Sequence, residues 1–355
     1  MKRIALYLLS VFALLCAAVP TAVAAPGDGP PAPFAERFRA VQHGGFARAA
    51  NAVITCGTAA DDGAPDCADA QAGGTARSGQ YAMAYIDTDD DANTYNSSSA
   101  ELRLPPGSRV SYARLYWSAN IRVGELKPSA DNGRILLAEP GGRYKEVLAD
   151  SPVGQHDSGE DSVFSASADV TALVRSAQPG AWTVGQINTA GGHSPEGGWG
   201  GWTLVVAYEN PDEPLRELVL WDGLETVGQG RELSLAADGL DIPAGADGRL
   251  GLVAGGGDRG VDGDQVTVRV PGGPATPLAD AANPAGDVLN GTVSDLGDPR
   301  TARTPAYAHT LGYDADVLDI SHALTDGADG LGVGLGGGRD RYHLGAVFLQ
   351  AAVRS

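Results

Sequence analysis

The stretch YIDTDDDANTYNSSSAEL, residues 85–102, concentrates oxygen-bearing side chains that could bind a metal ion. Four of them recur at alternate positions: Asp87, Asp89, Asp91 and Asn93. This spacing lets a looping backbone turn several oxygens toward one hard cation such as Ca²⁺. The stretch is not an EF-hand, because the sixth and twelfth residues counted from Asp87 are alanine and serine rather than glycine and glutamate. The alternative is a solvated acidic loop that forms Asx-turns.

A second acidic loop, GGGDRGVDGDQ, is a weaker candidate for the same chemistry. Its carboxylates belong to Asp258, Asp262 and Asp264. Combinations of Gly and Asp are also ordinary turn residues, so the spacing alone does not distinguish a metal site from a turn.

The stretch GGHSPEGGWGGW suggests a platform for a sugar or a peptide. Trp199 would offer a flat face that the flanking glycines leave accessible, and His193 and Glu196 would supply polar contacts. The alternative reading is that tryptophans fill β-sandwich cores. We favour that reading for three others: Trp117, Trp202 and Trp221.

Motifs for catalysis are scarce in this sequence. It contains no His-Glu-x-x-His, no Gly-x-Ser-x-Gly and no cysteine beside a histidine. A glycosidase needs two facing carboxylates, and 44 acidic residues leave such a pair open. The abundance of acids is not an argument for one.

The elements that would position these residues are predicted to be strands. Short alternating segments recur between Gly, Pro, Asn and Asp residues, as in GWTLVVAYE, where Trp202, Leu204 and Val206 fall on one face. The pattern predicts an all-β protein.

Self-comparison indicates an internal duplication. YAMAYIDTD corresponds to ELVLWDGLE, and five further matches follow in the same order, including RLYWSA with RLGLVAGG. We therefore predict two tandem antiparallel β-sandwich units of jelly-roll type, residues 80–213 and 214–355, with a boundary within Glu209–Leu215.

The N-terminal segment has the features of a secretory signal peptide. A basic start, an apolar run and the small residues Ala22, Val23 and Ala24 predict cleavage after residue 24. Residues 25–79 would form a Pro/Gly-rich leader and an arm in which Cys56 and Cys67 pair, since an exported chain meets an oxidising compartment. The predicted location is extracellular.

Charge and hydropathy exclude two classes of partner. The formal net charge is −19, from 25 Lys and Arg against 44 Asp and Glu. Nucleic acid is not expected, because phosphate binding needs a clustered basic surface. Beyond the signal peptide there is no run of about 18 apolar residues, so membrane insertion is not expected either.

Several segments resemble a known family: HGGFARAANAVITC, YNSSSAELRLPPGSRVSYARLYWSA, GGWTLVVAYE, LVLWDG and TLGYDADVLDI. It is an uncharacterised family of exported β-rich proteins, which includes secreted proteins of high-G+C Gram-positive bacteria and N-terminal heads of large adhesin-like bacterial surface proteins. The resemblance implies an extracellular β-rich domain and brings no catalytic residues with it.

Two functions from different classes follow. The first is a secreted, non-enzymatic binding or adhesion protein for an extracellular glycan or protein, stabilised by calcium if the acidic loop binds it. The second is an extracellular carbohydrate-active enzyme that uses a carboxylate pair in a cleft between the two units.

Overall fold

The computed structural model describes residues 32–228, 230–338 and 341–354. The predicted signal peptide and residues 25–31 of the leader lie outside this range. The described chain consists of strands, two short helices and three single 3₁₀ turns, which confirms the all-β prediction. Within these residues, no helix has the length and apolar composition needed to cross a membrane.

The strands of the first half are β1 Ala35–Ala52, β2 Ile54–Ala59, β3 Tyr81–Tyr85, β4 Ser97–Leu102, β5 Arg109–Asn120, β6 Arg134–Ala138, β7 Lys145–Leu148, β8 Gly154–Asp157, β9 Ser162–Asp169, β10 Gly180–Gly185 and β11 Gly200–Glu209. Those of the second half are β12 Leu215–Gly228, β13 Leu233–Asp238, β14 Gly248–Gly255, β15 Gln265–Arg269, β16 Thr276–Pro277, β17 Val293–Asp295, β18 Asp298–Pro299, β19 Arg303–Thr304, β20 Tyr313–Asp319, β21 Gly330–Gly336 and β22 Arg341–Ala352. The helices are α1 Cys67–Gln71 and α2 Thr171–Ser176, and the 3₁₀ turns are Ser78–Gln80, Ser129–Asp131 and Ser321–Ala323.

The sheets stack as four layers. Outer sheet 1 has the order β19-β4-β10-β6-β7, and outer sheet 2 the order β13-β21-β15-β16. Between them lie inner sheet 1, made of β1, β11, β5, β9 and β8, and inner sheet 2, made of β1, β12, β22, β14, β20, β17 and β18. One apolar core fills the space behind each outer sheet, and a central core lies between the inner sheets.

Strand β11 shows why the inner strands are apolar on both faces. Trp202, Leu204 and Val206 enter the core behind outer sheet 1. Val205 and Ala207 enter the central core. Because successive side chains of a strand point to opposite faces, a strand between two cores reads as a nearly continuous apolar run.

Strand β1 connects the two inner sheets. Its first part, residues 35–43, pairs with β12, and its second part, residues 44–52, pairs with β11. The change of partner occurs at Gly44, whose φ is +143°. A Cβ at this position would lie 1.9 Å from the carbonyl oxygen of Tyr208, so only glycine allows the strand to cross here.

The two halves share a strand order. The order β11-β5-β9 recurs as β22-β14-β20, and β4-β10-β6-β7 recurs as β13-β21-β15-β16. The edges differ, because β8 pairs with β9 antiparallel whereas β17 pairs with β20 parallel.

The proposed match of YAMAYIDTD with ELVLWDGLE is wrong at the structural level, since β3 pairs with β2 in a separate small sheet. Strand β1 instead pairs with β11 as β12 pairs with β22. The duplication itself stays a prediction.

The N-terminal arm contains the predicted disulfide. Cys56 and Cys67 are bonded, with their Cα atoms 5.6 Å apart. Ile54 of this arm packs in one cluster with Tyr81 of β3 and with Leu311 of the second half. The arm is therefore part of the folded body and not a peripheral appendage.

Candidate functional site

A polar groove lies on the outward face of outer sheet 1. Its floor is one row of small side chains across four neighbouring strands: Thr304, Ser99, Thr183 and Ala138. Their neighbours along the strands, such as Ala100 and Trp182, point inward to the core. Small residues on the outward face leave a groove of about 870 Å³ above the sheet.

Two loops border this groove. One is the acidic loop, with Thr88, Asp89, Asp91 and Asn93, and the other joins β6 to β7 and contributes Gly142, Arg143 and Tyr144. The loops touch where the Tyr144 hydroxyl donates a hydrogen bond to Oδ2 of Asp89. The second loop was not predicted from the sequence, because nothing local in GGRYK shows that it folds back against the acidic loop.

The carboxylates of the acidic loop accept hydrogen bonds from the loop itself. Oδ1 of Asp89 accepts from the Asp91 amide at 2.9 Å, and Oδ1 of Asp91 accepts from the Asn93 amide at 2.9 Å. These are successive Asx-turns. Asp87 accepts from the Ser97 hydroxyl at 2.8 Å. In the described part of the chain, no group of three or more metal-binding side chains converges, and calcium binding by this loop stays a prediction.

Hydrogen bonds and burial set the protonation states of Asp89 and Tyr144 at the border of the groove. Burial raises the pKa of Asp89, but hydrogen bonds from Tyr144, the Asp91 amide and nearby hydroxyls lower it more, so the net pKa lies below the ordinary value. Burial and the adjacent carboxylate both raise the pKa of Tyr144. Asp89 is therefore an anion and Tyr144 a neutral donor. Arg143 is exposed and makes no hydrogen bond or ion pair with any described residue.

The structure contradicts the proposed aromatic platform. Trp199 is only 2% exposed. Its ring stacks on His343 with the ring centres 6.0 Å apart, and a Cβ at Gly255 would lie 2.1 Å from its Cζ3 atom. The expectation of an accessible Trp199 face is wrong, because residues distant in sequence cover the ring.

The polar residues proposed to accompany Trp199 have other partners. His193 is exposed and its Nε2 lies 3.0 Å from the carbonyl oxygen of Gly79. Glu196 accepts a hydrogen bond from Arg341 at 3.0 Å. Each side chain thus contacts a residue distant in sequence, and the buried Trp199 offers no exposed face for a ligand that they would accompany.

The second acidic loop also separates its carboxylates. Asp264 is fully buried and Asp262 is exposed. Asp258 lies in a pocket of about 170 Å³ that His193 also lines. These three aspartates therefore do not form one set of ligands.

A smaller pocket lies between the two halves, where the enzyme hypothesis places its carboxylate pair. It has a volume of about 220 Å³. Asp295 is the single carboxylate among the described residues that line it. Glycoside hydrolysis uses two facing carboxyl groups, and the lining of this pocket does not supply them.

Two buried aspartates on β20 were not identified from the sequence. Asp314 and Asp316 are 0% exposed and point to the same face of the strand. Burial raises the pKa of both, and the Asp316 charge raises that of Asp314 further. Oδ1 of Asp314 accepts a hydrogen bond from the Gly291 amide, and Oδ1 of Asp316 accepts one from the Ser294 amide. The Oδ2 atom of each aspartate has no partner in the described chain. The sequence signal that could have identified this pair is the alternation of aspartates in YDADVLD.

Comparisons with known proteins assign no family. No protein-family model and no curated protein sequence matches the chain. Among solved structures, it is similar to BuGH86wt in complex with neoagarooctaose, at 14% identity and a TM-score of 0.23, over 69% of this chain and 32% of that one. The chain thus spans about a third of the length of that protein.

Two viral proteins show similarly remote likeness. The infectious bursal disease virus VP2 subviral particle matches at 10% identity and a TM-score of 0.26, over 93% of this chain and 75% of that one. A protein of Sulfolobus Turreted Icosahedral Virus matches at 12% identity and a TM-score of 0.22, over 72% and 86%. TM-scores this low carry no argument about function.

Proposed function

We propose that this is an exported, non-enzymatic binding protein that holds a polar ligand, a glycan, in the groove on outer sheet 1. The observation that carries the proposal is the row of small side chains beneath that groove. Four adjacent strands each place a small outward residue in register, and at the usual spacing of about 4.8 Å between strands this row spans about 14 Å. An extracellular location rests on the predicted signal peptide and accords with the disulfide.

The lining favours a hydroxyl-rich ligand over an apolar one. Thr88, Ser99, Thr183 and Thr304 offer hydroxyl groups, and Tyr144 is the one aromatic side chain among the described lining residues. Such groups form hydrogen bonds with both donors and acceptors of a sugar. Arg143, unpaired within the described chain, adds a cation that could contact a ring oxygen or an acidic substituent.

The same lining supports binding rather than hydrolysis. Asp89 and Asp91 lie two residues apart in one loop, and both accept hydrogen bonds from that loop. The lowered pKa of Asp89 makes it a poor proton donor near neutral pH. We further propose that calcium, if bound, would rigidify this border of the groove rather than take part in chemistry.

The test is a glycan array followed by titration calorimetry with the best ligand. Thr183→Trp fills the floor and Arg143→Gln removes the free cation, so both should weaken binding by about tenfold or more. The matched control is Thr267→Trp on β15, a half-exposed residue between the core residues Val266 and Val268 on outer sheet 2. A Thr183→Trp variant that binds as wild type would place the ligand elsewhere. Binding of peptides but no glycans would overturn the ligand class.

A further inference from the structure

The pocket between the two halves, of about 220 Å³, is lined by arginines and lies at the edge of the central core. We call it the arginine pocket. Strands β1, β14, β20 and β22 form its walls together with the loop after β4. Phe46, Val317 and Phe348 supply apolar surface. Residues from both halves contribute, so the pocket exists only in the assembled fold.

The charge of this pocket is opposite to that of the protein. Four guanidinium groups face a single carboxylate in the described lining: Arg48, Arg103, Arg249 and Arg300 against Asp295. Asp295 is already paired, with Arg48 at 3.0 Å and with Arg300 at 3.1 Å. In a chain of formal charge −19, this leaves a local excess of positive charge without a partner in the lining.

Arg48 has a buried donor that no described residue satisfies. Its side chain is 3% exposed, and its Nη2 donates to the Ser294 carbonyl and to Asp295. Its Nε is buried and has no hydrogen-bond partner in the described chain. A buried donor without a partner destabilises the fold, so an acceptor is expected to complete it.

Arg249 is a cation of the pocket without a partner among the described residues. It is exposed on β14, and among the described residues it makes no hydrogen bond or ion pair. Arg103 is 63% exposed and pairs only with Glu101, a surface contact of little energy. Both guanidinium groups are therefore available to an incoming anion.

We propose that the arginine pocket binds an oxyanion: a carboxylate, sulfate or phosphate group. The planar guanidinium fork matches the geometry of these groups and forms paired, charge-assisted hydrogen bonds with them. The pocket shares no lining residue with the groove on outer sheet 1. The proposed oxyanion site is thus separate from the proposed glycan groove, and each can be tested without the other.

The experiment titrates the purified chain with sodium phosphate, sodium sulfate and sodium acetate, against sodium chloride at matched ionic strength. Binding is measured by calorimetry and by the rise in melting temperature, because a ligand of the folded state stabilises it with concentration. At least one oxyanion should bind where chloride does not. The preferred probe then identifies the chemistry as carboxylate or as a tetrahedral anion.

Two variants and one control locate the binding. Arg249→Gln and Arg103→Gln should each raise the dissociation constant about ten- to a hundredfold, as expected for one hydrogen bond to a charged group. Arg269→Gln is the control, since Arg269 is exposed on outer sheet 2 and makes no hydrogen bond or ion pair with the described residues. It removes the same charge outside the pocket and should bind as wild type.

Three results would overturn the proposal. The first is that no oxyanion binds beyond the effect of chloride. The second is that Arg249→Gln and Arg103→Gln bind as tightly as wild type. The third is that Arg269→Gln loses as much affinity as the pocket variants, which would indicate an effect of net charge alone.

Discussion

Replacing Asp316 with Asn should change how the stability of this protein depends on pH. Asp316 and its neighbour Asp314 are completely buried, and burial raises the pKa of both above the ordinary value. Asn keeps an oxygen that can accept the hydrogen bonds from Ser294, at 2.8 Å from its amide and 2.6 Å from its hydroxyl. The substitution therefore removes the ionisation while it preserves the main contacts.

The sign of the effect follows from proton binding. An unfolded Asp loses its proton near about pH 3.9, whereas the buried carboxyl keeps its proton to higher pH. Between these two pKa values the folded state holds one more proton, so the free energy of unfolding falls as pH rises. The slope is about 1.4 kcal/mol per pH unit for each such carboxyl. This contribution to stability is complete below the unfolded pKa and is lost as pH rises through the folded pKa.

His309 acts in the opposite direction. Burial lowers its pKa to about 3, so the unfolded state binds the extra proton and stability rises with pH up to the unfolded value of about 6.5. The two slopes partly cancel in the wild-type curve. The difference between wild type and Asp316→Asn removes the histidine contribution, because both proteins contain His309.

The assay is urea denaturation at half-unit steps from pH 4.5 to 7.5. Asp316→Asn should gain stability relative to wild type as pH rises, by up to about 1.4 kcal/mol per unit. The control is Asp298→Asn, an exposed carboxyl on β18, which should follow the wild-type curve. A wild-type to Asp316→Asn difference that stays constant across this range would refute the assignment of a raised pKa.

Three further predictions concern the core, the arm and the acidic loop. Trp199→Ala should lower the free energy of unfolding by about 3 to 5 kcal/mol in urea denaturation, since it empties a core position, and a loss below about 1 kcal/mol would contradict burial of the ring. Reduction of the Cys56–Cys67 bond, which spans 11 residues, should cost about 3 kcal/mol, and an unchanged melting temperature in reductant would argue against it. Millimolar calcium should raise the melting temperature of the wild type over that in chelator, but should leave that of the double variant Asp89→Asn with Asp91→Asn unchanged. At a calcium concentration a hundred times the dissociation constant, the wild type would be stabilised by about 2.7 kcal/mol. Identical wild-type midpoints would indicate a loop of Asx-turns without bound calcium.

The features that sequence analysis predicted correctly depend on local patterns. Alternation of polar and apolar residues identified the strands, because side chains of a strand point to opposite faces in turn. The pairing of Cys56 with Cys67 followed from a short separation in a chain predicted to be exported. The Asx-turns of the acidic loop were anticipated as one of two interpretations, since Asp and Asn bond to backbone amides two residues on.

The candidate site required contacts that no local pattern encodes. Thr304 joins Ser99 and Thr183 in one row only because β19 of the second half pairs with β4 of the first. Likewise, the arginine pocket collects side chains from β1, from the loop after β4 and from the second half. Each of these residues is unremarkable in its own segment.

The sequence by itself therefore determined the strand content, the disulfide and the polar character of this protein, since these depend on residue type and short-range spacing. Only the tertiary structure decided that Trp199 is covered, that β1 crosses at Gly44 and that Asp314 and Asp316 are buried. The physical reason is that burial is a property of packed layers. Gly255 and His343, far along the chain, close over the Trp199 ring, and the same residue flanked by glycines would be exposed if those strands paired differently.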